Sequence, residues 1–222
     1  MATRDYYIYD VIEAVRQYSD DSDISVEHVG FMIDTTRALL LRQKYTNPGS
    51  IIPQRIRQRL HFTLELASEN DLYDLDYNLR TINALPKLIE NSSFVQALIV
   101  DGGSYYDYRF IYTSPERFRY VGNDKYLNNI IYVTLGQDYR LLFKSNIDKH
   151  KFLDKVRVFG IFEDPQAAWE ASADYDVDKD FNSEVDYPMD LDMWVQVKEI
   201  IVKQLLMAMQ VPQDKNNNAS ED

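Results

Sequence analysis

The sequence predicts an α+β protein: a helical bundle, made of two N-terminal helices plus a C-terminal helix, with an inserted antiparallel β domain. Three observations predict it. Apolar residues recur at helical spacing up to Tyr45 and again beyond Pro188; the period drops to two between Phe94 and Phe162; and no strand–helix–strand alternation runs through that middle stretch. The expected boundaries are 1–60 and 188–210 for the bundle and 61–165 for the β insertion. An acidic connector at 166–187 follows, and 211–222 form a tail that is disordered or orders on assembly.

The first helix starts at Thr3, a good capping residue, and lays Ile8, Val11, Ile12, Val15 and Tyr18 on one face. The polar run Ser19 to Asp23 ends it. Ser25 caps a longer helix to about Tyr45, whose inward face reads Val29, Met32, Ile33, Thr36, Leu39 and Leu40. Asn47-Pro48-Gly49 is a stop. From Ile51 to Leu60, arginines stand at 55, 57 and 59. An extended chain aims all three one way and a helix spreads them, and the sequence leaves both readings open.

His61 to Ala67 alternates like a strand, while Ser68 to Asn91 is polar and has no clear period, with Pro86 limiting any helix. Phe94 to Val100 and Tyr105 to Tyr112 read as strands joined at Asp101-Gly102-Gly103, and Ser114-Pro115-Glu116 opens a short helix. Ile130 to Leu135 and Tyr139 to Lys144 form a second hairpin around Gly136-Gln137-Asp138. Val156 to Phe162 is the last strand, and Asp164 caps a turn or two of helix through Trp169. Beyond Pro188 a helix to about Gln210 carries Trp194, Val197, Ile201, Leu205 and Ala208 as a stripe that must pack on something, most economically the N-terminal pair.

The 222 residues carry a net charge of −12. The charge is uneven: residues 1–60 hold 8 basic and 8 acidic side chains, 61–165 hold 12 and 15, and 166–222 hold 4 and 13. A surface of that sign repels nucleic acid, whose affinity for proteins comes from Lys and Arg neutralising phosphates. There are 17 Tyr and no Cys. Tyrosine suits surfaces that become buried on assembly. The missing cysteines exclude disulfides, thiolate zinc sites and thiol nucleophiles. Met1 to Tyr9 lacks the basic-then-apolar order of a signal peptide, and no apolar run approaches the ~20 residues of a membrane span.

No constellation for chemistry is visible. His28, His61 and His150 fall on three separate elements, and neither a nucleophile elbow nor a phosphate loop occurs. The sharpest candidate is Asp174-Tyr175-Asp176-Val177-Asp178-Lys179-Asp180, which spaces carboxylates as a calcium loop does. Such a loop needs Gly at its sixth position and Glu at its twelfth, where this chain has Lys179 and Val185. No catalytic residue, cofactor or metal is expected.

Five segments, in order, carry a family resemblance: IDTTRALLLRQKY (33–45), IIPQRIRQRL (51–60), YTSPERFRYVGN (112–123), VFGIFEDP (158–165) and the closing VPQDKNNNASED (211–222). Together they resemble the neck and tail ring proteins of crAss-like phages, short-tailed bacteriophages of gut Bacteroidales. The resemblance implies a non-enzymatic, ring-forming head–tail connector, of the adaptor type that touches the portal. Its implied partners are further copies of itself in a twelvefold ring, the portal protein, other tail or neck ring proteins, and DNA that passes through the channel without specific binding. No membrane is involved, and the implied location is the virion neck or tail, after assembly in the bacterial cytoplasm.

A ring subunit meets its two neighbours through two different surfaces. The expected contact residues are Arg55, Arg57 and Arg59, which would pair with acids of the next subunit, the amphipathic Tyr105, Tyr106, Tyr108 and Tyr112, and Val211 and Pro212 in the tail. The inner face of a sheet is the competing reading of those tyrosines. Rival functions are another virion component, such as a tail-barrel or head protein, and a metal-dependent enzyme using the carboxylates of 174–186.

Overall fold

The structure is a computed structural model that describes residues 2–18, 24–44, 53–67, 76–89, 98–101, 109–122, 130–146 and 152–209. The first helix, α1, spans Arg4–Arg16, and the extended Thr3 before it accepts a hydrogen bond from the Tyr6 amide on its hydroxyl. Tyr7, Ile8, Val11, Ile12 and Val15 face inward. Tyr18 is 72% exposed, because the helix ends before it and the chain no longer holds it on the apolar face.

Helix α2 (Val26–Lys44) follows Ser25, whose hydroxyl accepts from the His28 amide. Val29, Ile33 and Thr36 are buried as expected, with Met32 and Leu40 partly so. Leu39 is 52% exposed instead, and Arg37, Ala38 and Leu41 are buried in addition. The inward line runs Val29, Ile33, Arg37, Leu41 at intervals of four, and at roughly 100° per residue Leu39 points well away from it.

A single 3-10 turn, Gln54–Ile56, leads into strand β1 (Gln58–Leu66), which inserts Leu60, Phe62 and Leu64 into the core. The remaining strands are β2 (Leu79–Thr81), β3 (Leu98–Asp101), β4 (Arg109–Tyr112), β5 (Ile130–Leu135), β6 (Leu141–Lys144) and β7 (Lys155–Gly160). Their order is β3-β7-β1-β2-β6-β5-β4. All ladders among the described residues are antiparallel except β4 on β5, which is parallel, so the sheet is mixed. β3 and β4, at opposite ends of that order, approach one another, so the sheet curls on itself. The turn expected at Gly102-Gly103, like Asn47-Pro48-Gly49, lies outside the described residues.

The hairpin at Gly136 forms with Leu135 opposite Leu141, and Tyr139 takes a left-handed φ of 60° inside the turn instead of starting the return strand. Short helices α3 (Pro115–Phe118), α4 (Pro165–Glu170) and α5 (Phe181–Glu184) follow the loops, α4 capped by the Asp164 carboxylate on the Gln166 and Ala167 amides. The last helix, α6 (Leu191–Met209), buries Met193, Trp194, Val197, Ile201 and Leu205 against α1 and α2. Ala208, expected on the same stripe, is exposed near the helix end.

Two cores result. One joins the three long helices and includes Phe181, Tyr187 and Met189 from the connector side. The other fills the sheet around Leu60, Phe62, Leu141, Phe143, Val158 and Phe162. Gly160 lets β7 pass close to that core: a Cβ there would stand 2.6 Å from the Phe162 ring and 3.2 Å from Leu88.

Candidate assembly surface

Several polar clamps tie the helices, the sheet and the connector together, and so fix where the outward surfaces lie. The guanidinium of Arg37 is fully buried between the two cores. Its Nε donates to the Pro188 carbonyl (2.9 Å) and one Nη to the Phe162 carbonyl (3.1 Å), and its charge lies 5.7 Å from the Tyr187 ring centre. Burial lowers its pKa from the ordinary arginine value, with Tyr187, Asp34 and Asp164 opposing that. Arginine is the cation suited to this position, since its planar fork can serve two carbonyls at once.

Beside it, Asp34 of α2 accepts the Tyr187 hydroxyl at 2.5 Å and the Arg4 guanidinium at 2.6 Å. Arg4 also donates to Asn182 (2.8 Å), which brings α5 onto the start of α1. The same corner is closed by backbone: Tyr187 N donates to Ala2 O, and Thr3 pairs with Asp186. Further along, Asp10 of α1 accepts from Trp194 Nε1 (3.1 Å) and Lys198 Nζ (2.7 Å) of α6. On the sheet side, Glu163 bridges Arg42 (2.8 Å) and Lys87 (3.0 Å), and the Lys87 hydrogen bond leads in holding its carboxyl below the usual range.

The acidic connector is part of this framework. β1 pairs with β7 along Gln58 to Thr63 and with β2 along Leu64 to Leu66, so its first half has one open edge. Ser172 and Ala173 cover that edge: His61 N donates to Ser172 Oγ (3.0 Å), and Ala173 N donates to His61 O (2.6 Å). His61 Nδ1 lies 2.5 Å from an Asp174 oxygen. The aspartate run then spends its carboxylates locally. Asp176 accepts from the Asp178 amide, and Asp180 caps α5 through the Asn182 and Ser183 amides and the Ser183 hydroxyl. Among the described residues no group of three or more acids and histidines is placed to hold a metal ion.

Of the residues expected at subunit contacts, Arg55 stands exposed on the 3-10 turn, Arg57 leaves it half-buried, and Arg59 is exposed on β1. The open question about this segment is thereby answered: a tight turn that becomes a strand. Arg59 shares the outer face of the sheet with His61, Lys155, Arg157 and Phe159 by the β1–β7 register. Tyr112 is half-buried on β4 and packs against the sheet core, and burial pushes its phenol up to about 12. Tyr105, Tyr106, Tyr108, Val211 and Pro212, like His150, lie outside the described residues.

Other outward-facing apolar side chains had no signature in the sequence. Tyr120 is 82% exposed just after α3, between arginines and a turn, and Val177 is 77% exposed amid the aspartates. α6 leaves Leu191, Val195 and Met207 outside, and α2 leaves Phe31. Single exposed aliphatic side chains are ordinary on a protein surface, whereas aromatic ones are enriched where proteins meet. Among the described residues no helix is long and apolar enough to cross a membrane.

Comparison with known proteins adds an independent line. The model of a family described as phage tail ring protein 2 matches residues 7–222. Ring protein 2 of Bacteroides phage crAss001 is 30% identical over 224 residues, a match covering 97% of this chain and 95% of that protein.

Proposed function

We propose, on the premise that this chain belongs to the phage tail ring protein 2 family of crAss-like phages, that it is a ring-forming head–tail connector, an adaptor subunit of a short-tailed virion. In this reading copies of the chain close a ring, twelvefold to match the portal, that binds the portal protein and other tail or neck rings and extends the DNA channel. Assembly takes place in the host bacterial cytoplasm, and the chain performs no catalysis.

The observation that carries this reading is that the likeness to ring proteins runs nearly the whole length of the chain. Helices, sheet and connector therefore belong to one building block. The structure suits that role. In the proposed division, 1–60 and 188–210 form the bundle, 61–165 the β insertion, 166–187 the connector and 211–222 the tail; Arg37 and the Asp34 cluster bolt the first three to one another. A subunit that must hold a ring's rotation angle has to be stiff in this way.

The charge distribution supports a passive relation to DNA. With 4 basic against 13 acidic residues in 166–222, that acidic C-terminal segment turned to the channel repels the phosphates and lets DNA slide. Electron microscopy of the purified chain, alone and mixed with portal protein, tests the reading: closed rings that stack on the portal are expected. Rings that never engage portal would remove the adaptor role and leave a ring elsewhere in the tail.

A further inference from the structure

We infer that the surface formed by Arg117, Arg119 and Tyr120 docks on the Asp176-Val177-Asp178 turn of a second copy of this chain, making the head-to-tail contact of the ring; the inference rests on the ring reading above.

The donor side is a rigid, cationic, aromatic tip. Phe118 is fully buried and pins α3, while Arg117, Arg119 and Tyr120 around it are exposed. Glu116, the one acid in this helix, is engaged with Ser114. Neither arginine side chain meets a carboxylate within the chain, among the described residues, beyond the adjacent Glu116. Tyrosine and arginine are the residue types that most often carry the binding energy of protein interfaces.

The acceptor side has the complementary chemistry. Lys179 N donates to Asp176 O, closing a turn with Val177 at its apex, 77% exposed. Carboxylates flank it on both sides: Asp176 lies 3.8 Å from Lys179 Nζ, while Asp178 has no cation paired to it among the described residues. The turn is held firmly: Tyr175 before it stacks edge-on against Trp169 (4.7 Å), and Asp180 after it caps α5. An aliphatic knob between two acids is thus complementary in charge to a phenol that follows two arginines.

The two surfaces lie on different elements of the fold. α3 packs on β5, whereas the turn lies between α4, which packs on β1, and α5, which packs on α1; β2 and β6 separate β5 from β1. A contact between copies through two different surfaces propagates head to tail and closes by rotation. The net charge of −12 favours an acidic protein surface over nucleic acid as the occupant.

The chain has no cysteine, which gives a clean covalent test in the full-length protein. The double variant Tyr120→Cys with Val177→Cys, mildly oxidised, should give a ladder of multimers whose disulfides peptide mapping places between residues 120 and 177, and each single variant should stay uncrosslinked. Separately, Arg117→Glu/Arg119→Glu and Asp176→Lys/Asp178→Lys should each lose assembly alone, and a 1:1 mixture should regain it, because every alternating contact then pairs opposite charges. If the unmodified chain forms rings but the ladder is missing and both reversed variants still assemble, the docking proposal fails and the ring reading survives. If the unmodified chain stays monomeric and no ladder appears, both fail. DNA binding by the unmodified chain that vanishes in Arg117→Glu/Arg119→Glu would assign the patch to nucleic acid and overturn the proposal.

Discussion

Tyr187 donates its hydroxyl to Asp34 across 2.5 Å, and residues 153 apart in sequence thereby join the connector to the middle of α2. Asp34 holds Arg4 at the same time, so one carboxylate fixes the chain's first helix, second helix and the entry to its last. Replacing Tyr187 by Phe keeps the packing of the ring and removes the bond. The expected loss is about 1–2 kcal/mol of unfolding free energy, read by urea denaturation, and Asp34→Ala should cost more because Arg4 loses its carboxylate too and keeps only Asn182.

The same phenol sets a response to alkali. Burial pushes the Tyr187 pKa well above 10.0, Asp34 adds to that, and Arg37 opposes it. The folded chain therefore keeps this proton where the unfolded chain releases it. Stability is fully present below the unfolded value near pH 10 and falls as pH rises beyond it. Tyr112, raised to about 12 by burial, adds to the fall between those values. Melting temperature measured from pH 9 upward should drop less steeply in Tyr187→Phe than in the unmodified chain.

Arg37 donates to two backbone carbonyls from separate parts of the chain, Phe162 O and Pro188 O. Arg37→Ala should cost on the order of 3 kcal/mol or more, through two acceptors that lose this donor and an unfilled space. Arg37→Lys keeps the charge but cannot fork to both, and should recover only part. Chemical denaturation followed by Trp fluorescence measures both.

Gly160 is needed for close approach. Gly160→Ala should destabilise by about 1–3 kcal/mol, since the new methyl meets Phe162 at 2.6 Å. Adding Phe162→Leu should relieve part of that loss, so the two changes should couple in a double-mutant cycle rather than add.

Much of this was legible in the sequence wherever the signal is local. The caps at Thr3 and Asp164, the α6 stripe and the β5–β6 hairpin all follow from residue type and period, because each depends on neighbours within a turn or two. What escaped depends on distant partners. Arg37 in an inward line looks like an error of pattern until Phe162 and Pro188 are brought to it. The connector reads as solvated acid, yet Ser172 and Ala173 complete the edge of a strand over 100 residues earlier. The parallel pairing of β4 with β5 leaves no trace in alternation, which is the same for either direction. As for the contact surface, composition pointed to tyrosine and arginine in general; the exposure of Tyr120 and Val177 follows only from what the fold leaves uncovered.

In the proposed reading, copies of this chain close a ring about the axis of a phage tail. A reconstruction of the intact virion, with the chain's density assigned from α1, α2 and α6, tests it most directly. Multiple copies closed about the tail axis between portal and tail are expected, with each α3 tip against its neighbour's Val177 turn. Absence of the chain from purified virions, or its placement as isolated copies off that axis, would contradict it.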